Sequence, residues 1–144
     1  MSSDSGVTWA PITTAGSKVW FGIAATPDFS KMVASARNSG IYMSVNGGVD
    51  WTSIREAANY RAMAASSDLT KMIVAVIGST LQYTANSGTT WTSLDSAGAR
   101  SWEGVAASAD FTMFIASVGG GALYKSVNTG ESWTALVNGG AGTN

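Results

Sequence analysis

The chain has 144 residues, 45% hydrophobic and only 12% charged, with a formal net charge of −1. That length suits one domain with a substantial core, the near-neutral balance offers nucleic acid or an anionic membrane no electrostatic hold, and the low charge leaves a surface of Ser, Thr, Asn, Gly and Ala. These residues include no cysteine and no histidine, which removes disulfides, thiolate metal sites, thiol nucleophiles and the commonest general base near neutral pH. No apolar run approaches the roughly 18 residues of a membrane span, and neither a signal-peptide pattern nor an N-x-[ST] sequon occurs. Membrane insertion is therefore not expected, and no compartment is indicated.

In chain order, the first element is the stretch SSDSGVTWAPI (2–12), whose last six residues are predicted to form a strand. Its pattern returns as SVNGGVDWTSI (44–54), TANSGTTWTSL (84–94) and SVNTGESWTAL (126–136). Trp9, Trp51, Trp91 and Trp133 are thus spaced by 42, 40 and 42 residues. Between these stretches, WFGIAATPDFSKMVASARNSGIYMSVN aligns with YRAMAASSDLTKMIVAVIGSTLQYTAN and WEGVAASADFTMFIASVGGGALYKSVN. Three units follow, at about 13–54, 55–94 and 95–136, and the Gly- and Asn-rich tail 137–144 reads as a flexible end.

Each unit holds four short apolar runs bounded by Gly, Asn, Asp and Ser, of strand rather than helix length. In the second unit they fall near 60–66, 71–77, 80–85 and 89–94, lettered A to D. Short loops predict an antiparallel meander, and four strands per repeat of this length is the period of a propeller blade. The recurrent stretch occupies the C-to-D turn, where Asn46 or its equivalent bonds its own backbone and glycine tolerates positive φ. The paired alanines Ala24-Ala25, Ala64-Ala65 and Ala106-Ala107 place small side chains on strand A, where blades converge.

The pattern S-x-[DN]-x-G-x-[TSD]-W resembles the Asp-box, or BNR, repeat of sialidases, sortilin-type receptors and a photosystem assembly factor, all β-propellers. It is carried by Asp4, Gly6 and Trp9, by Asn46, Gly48 and Trp51, by Asn86, Gly88 and Trp91, and by Asn128, Gly130 and Trp133. Only the first box keeps the aspartate, and either residue can cap the turn. The expected fold is all-β: a propeller of four-stranded antiparallel blades, three per chain plus one extra N-terminal strand. Because single-chain propellers have roughly four to eight blades, ring closure by oligomerisation is expected, two chains giving six blades or three giving nine. An excised piece of a larger, sialidase-like propeller is the competing origin.

The resemblance to sialidases implies an arginine triad, a tyrosine nucleophile with a glutamate base, and an aspartate acid at the ring centre. No residue carries over: Arg37, Arg55, Arg61 and Arg100 recur at no common place in the units, and Tyr42, Tyr83 and Tyr124 fall within strand C. No enzyme, cofactor or metal site is expected. Asp28, Asp68 and Asp110 read as turn caps rather than a calcium ring. The expected role is a non-catalytic binding or scaffold module. The alternative is a multivalent lectin in which Trp20, Tyr60 and Trp102 present one aromatic platform per blade while Arg37, Arg61 and Arg100 hold hydroxyls. Packing between blades is the other reading of the same three aromatics. The expected partners are the chain itself, then a glycan or another protein.

Overall fold

The computed structural model describes residues 1–2 and 4–136, and the expected tail at 137–144 lies outside the described residues. Twelve strands form three four-stranded blades. Blade 1 holds β1 (Trp20–Ala25), β2 (Met32–Ala36), β3 (Gly40–Ser44) and β4 (Thr52–Arg55). Blade 2 holds β5 (Tyr60–Ala65), β6 (Met72–Ser79), β7 (Leu81–Thr84) and β8 (Thr92–Leu94). Blade 3 holds β9 (Arg100–Ala107), β10 (Phe114–Val118), β11 (Leu123–Ser126) and β12 (Thr134–Leu136). Within every blade, consecutive strands pair antiparallel.

The expected strands of the second unit appear with two differences: β6 runs on to Ser79, past the expected end at 77, and the last strand starts at Thr92, because the C-to-D turn runs up to Trp91. Residues 7–12, expected as a further strand, form no strand among the described residues, and their one ladder-like pairing is Ala10 with Met1. A D strand needs a C strand beside it, and every described C strand already pairs with its own D.

The second strands read Met-Val-Ala-Ser-Ala, Met-Ile-Val-Ala-Val and Phe-Ile-Ala-Ser-Val. Such unbroken runs suit strands covered on both faces, since a half-solvated strand would alternate. One side of β6 meets blade 1 and the other blade 3, while β2 and β10 each face one neighbouring blade. The core is accordingly two inter-blade seams. One buries Val33, Ile41 and Met43 of blade 1 against Tyr60, Leu69, Met72, Val74 and Val76 of blade 2. The other buries Ile73, Ala75, Leu81 and Leu94 of blade 2 against Trp102, Phe111, Phe114 and Ala116 of blade 3. The first strands of successive blades approach each other along their length, so the blades converge there.

Two turns set the blade shape. In the C-to-D turn of blade 1, Gly48 N donates to Ser44 Oγ at 2.9 Å, Asp50 N to Asn46 Oδ1 at 2.9 Å, and Trp51 Nε1 to Gly48 O at 3.2 Å. Blades 2 and 3 repeat these bonds around Asn86 and Asn128. Glycine is required twice over at Gly88 and Gly130. Their φ values are 83° and 87°, and a Cβ would lie 2.7 Å from Ile54 Cδ1 and Leu94 Cδ1 of the preceding blade. In the A-to-B turn, Phe29, Leu69 and Phe111 adopt φ of 58°, 59° and 62°, an unfavourable conformation for large side chains. Leu69 and Phe111 offset that strain by inserting into the blade before them.

Candidate functional site

Each blade carries a β-bulge at the same place. Trp20 pairs with Ala36 and Gly22 with Ser35, so Phe21 is the extra residue. Arg61 is the extra residue between Tyr60 and Ala62, and Glu103 between Trp102 and Gly104. A bulge bends its strand and re-aims a side chain, and here it brings three unlike groups into one row. The Arg61 guanidinium lies over the Phe21 ring at 4.9 Å, and Arg61 Nε sits 3.0 Å from Glu103 Oε2. That Nε–H is not aligned on the carboxylate, and Asn59 Oδ1, two residues earlier, is likewise buried without a donor among the described residues. The row lies on the inner strands, where a closed ring would have its channel. Phe21 and Glu103 escaped sequence reasoning, although the aligned triplets WFG, YRA and WEG differ in chemistry only at their middle position.

A second feature follows from the 40-residue interval. From the end of strand D to the aromatic that opens strand A there are eight residues from Leu94 to Trp102 but six from Ile54 to Tyr60. The longer connection forms a 3-10 turn at Asp95–Ala97, buries Ala97 and sends Ser96 Oγ to Gly130 O at 2.8 Å. The shorter one leaves a groove of about 450 Å³ lined by Arg55, Glu56, Tyr60, Thr89 and Trp91 among others. Arg55 crosses it to donate to Gln82 Oε1 at 3.1 Å and lies 5.4 Å from the Trp91 ring.

The three expected aromatic platforms are packing residues. Trp102 is 0% and Tyr60 2% exposed, each closed into a seam by the neighbouring blade, as the packing reading of these aromatics has it. Trp102 meets Tyr124 edge-on at 5.4 Å and Trp133 at 6.2 Å. The Tyr60 hydroxyl donates to Glu56 O at 2.8 Å, and burial raises its pKa. Trp20 packs on Tyr42 and Trp51 in the same way, but it is only half-buried. The cations are similarly engaged. Arg100 lies over Tyr124 at 4.6 Å and donates to Ala97 O at 3.1 Å, and Lys18 holds the equivalent place over Tyr42 at 4.6 Å. Arg37 is exposed in its B-to-C loop, so Arg37, Arg61 and Arg100 serve three separate environments.

Asp28, Asp68 and Asp110 behave as turn caps. Each carboxylate accepts first from the hydroxyl two residues before it, on Thr26, Ser66 or Ser108, and then from the N–H and hydroxyl two residues after it. These bonds lower all three pKa values to about 2. A depressed carboxylate pKa stabilises fully above the ordinary value near ~3.9 and is lost as pH falls through the folded value. The melting temperature is therefore expected to drop between about pH 4 and pH 2. Asp68→Asn, which keeps an Oδ1 acceptor without a titrating proton, should flatten part of that drop when melting is followed by circular dichroism.

No protein-family model matches the chain, and no curated protein sequence matches it. Solved structures do. An ancestral GH74 enzyme aligns at TM-score 0.64 and 18% identity over 84% of this chain and 19% of its own. The GH74 enzyme of Niastella koreensis aligns at TM-score 0.60 and 28% identity, over 83% and 18%. YCF48 bound to a D1 peptide aligns at TM-score 0.68 and 15% identity, over 88% and 43%. These neighbours are β-propeller proteins, and the chain, spanning less than half of each, has the fold of a β-propeller fragment.

Proposed function

We propose that the chain is a non-catalytic binding or scaffold module that works within a closed β-propeller built from more than one copy, its turns being Asp-box repeats. One observation carries the reading: equivalent positions are buried at internal seams and bare at the two outer faces. On the leading face, Phe29 is 55% exposed where Leu69 is 0% and Phe111 3%, and Phe21 and Ile23 are bare beside it. On the trailing face, Ile115 is 44% exposed where Val33 and Ile73 are 0%, with Leu123 and Leu136 bare around it. Apolar faces of this kind are association surfaces. What covers a trailing face inside the chain is always a leading face, and a second copy brings both.

The ring would set Phe21, Arg61 and Glu103 around its channel, with the groove beside Trp91 on a loop face, and either can receive a partner. A partner polypeptide is favoured over a sugar, because Tyr60 and Trp102 are closed into seams and because YCF48, of the same fold, is known bound to a D1 peptide. A non-catalytic role is favoured by the acids at hand. Asp28, Asp68 and Asp110 are spent on turns and have lowered pKa values, whereas a general acid needs a raised one; Glu103 is spent on its pairing with Arg61. Native mass spectrometry with light scattering is the test. A two-chain species is expected, and a single-chain mass at every concentration would overturn the ring.

A further inference from the structure

Three connections lead into the aromatic that opens a strand A, and two of them are built alike. Eight residues separate Ile12 from Trp20, as they do Leu94 from Trp102. Thr14 and Ser96, Ala15 and Ala97, Gly16 and Gly98, and Lys18 and Arg100 stand at matching offsets. Gly16 N donates to Thr13 O at 3.0 Å and Gly98 N to Asp95 O at 2.9 Å, with both glycines at φ 73°. The Lys18 ammonium donates to Ala15 O at 2.8 Å and Arg100 Nε to Ala97 O at 3.1 Å. Each turn then sets a hydroxyl on the C-to-D turn of the blade that follows: Thr14 Oγ1 donates to Gly48 O at 2.7 Å, and Ser96 Oγ to Gly130 O at 2.8 Å.

The connection into blade 2 is two residues shorter. Glu56 stands two places after Ile54, where Thr14 and Ser96 stand after Ile12 and Leu94, and a carboxylate has no proton to give a carbonyl. Gly88 is buried like Gly48 and Gly130, yet among the described residues its carbonyl accepts only from the Trp91 indole, at 3.0 Å. A carbonyl oxygen has two lone pairs, and in the other two blades the second is used by the hydroxyl. Gly88 lines the groove of about 450 Å³, together with Glu56, Thr89 and Trp91, a volume within the range of ligand sites. The cation of the turn, by contrast, is kept. Arg55 Nη2 donates to Gln82 Oε1 at 3.1 Å, and Gln82 has the position of Tyr42 and Tyr124, over which Lys18 and Arg100 lie. Blade 2 therefore lacks the hydroxyl and the small side chain of the turn, and nothing else in it.

We infer that this groove binds a turn of a partner polypeptide in which Ser or Thr is followed by a small residue, the hydroxyl donating to Gly88 O and the small side chain taking the place that Ala97 fills in the next seam. The inference rests on the reading of the chain as a module with a polypeptide partner. Two observations select the occupant. The Arg55 guanidinium lies 5.4 Å from the Trp91 ring and repels a second cation, so a neutral donor fits Gly88 O better than an ammonium group. And the equivalent walls in this same chain hold a backbone turn with one methyl pressed in, Ala97 being 2% exposed, a closer fit for an alanine-sized side chain than for a sugar ring. The exposed Glu56 adds an acceptor for the N–H groups of the incoming turn.

The probe is the capped peptide Thr-Thr-Ala-Gly-Ser, the sequence of residues 13–17, beside a version with valine in place of its second threonine and beside maltotriose. Heteronuclear NMR reads binding from the Trp91 indole N–H, which bonds the same carbonyl. The Trp51 and Trp133 indoles, whose carbonyls already accept from Thr14 and Ser96, are internal controls. The expected result is a saturable shift at Trp91 alone, with the valine peptide bound about fivefold more weakly, the ordinary net worth of one hydrogen bond. A variant in which residues 95–101 replace residues 55–59, giving blade 2 the longer connection, is expected to lose the response; a folded variant that keeps it would overturn the groove as the site. Equal binding of the two peptides would overturn the role of the hydroxyl. Silence at Trp91 with both peptides would overturn the inference and leave the polypeptide reading standing, whereas a response to maltotriose in their place would overturn that reading as well.

Discussion

Trp102→Ala is expected to lower the unfolding free energy by about 3–5 kcal/mol, the usual cost of emptying a buried Trp site. Trp102 is fully enclosed and touches Tyr124 and Trp133, while its indole N–H donates to Gly98 O at 3.2 Å. Truncation therefore leaves a cavity and an orphaned carbonyl in a seam whose other wall is blade 2. Trp20→Ala, at the same place in blade 1, is expected to cost about half as much in the dissociated chain, because its outer side has no blade against it and less surface returns to water. Urea denaturation at low protein concentration measures both. Equal losses would mean that the leading face of blade 1 is already covered in the single chain.

How much of this the residues announce depends on whether a feature repeats. Blade number, strand order and the C-to-D turns were legible because Asn46, Asn86 and Asn128 stand at one offset from Trp51, Trp91 and Trp133, so each occurrence corroborates the others. The turn role of Asp28, Asp68 and Asp110 was legible for the same reason. The bulges at Phe21, Arg61 and Glu103 were not, because a bulge is a property of register between two strands, and a one-residue slip leaves no mark in composition. Nor was the ladder between β6 and β9, where Ile77 pairs with Ser101 and Ser79 with Arg100. It joins the end of β6 to the start of β9, whereas the corresponding place between blades 1 and 2 holds the single backbone bond from Asn38 N to Ala58 O at 2.9 Å. The fate of Trp20, Tyr60 and Trp102 could not be read from residue type, since an aromatic opening a strand can pack or bind. Burial decided it, and burial depends on the neighbouring blade.

The same dependence yields the second large prediction. Ile73 and Ile115 occupy one position of the repeat, on the trailing side of the second strand, and differ in what covers them. Ile73→Glu places a carboxylate among Leu81, Trp102 and Phe114 with no cation in that cluster. A buried, unpaired charge costs several kcal/mol, a large part of the ~5–15 kcal/mol that holds a domain together, so this variant is expected to be unfolded. Ile115→Glu puts the same charge on a face that is bare in the single chain, and the monomer should fold with nearly unchanged stability. In the ring, however, Ile115 would meet the leading face of the next copy, with Phe29 and Met32 where blade 3 offers Phe111 and Phe114 to Ile73. The carboxylate, with only Lys125 beside it across the β10–β11 ladder, would then be desolvated against that apolar face, and association should weaken by about tenfold, about 1.4 kcal/mol. Circular dichroism separates folded from unfolded, and sedimentation velocity reads the association. An Ile115→Glu variant that assembles as well as the parent chain would show that the trailing face lies outside the contact between copies.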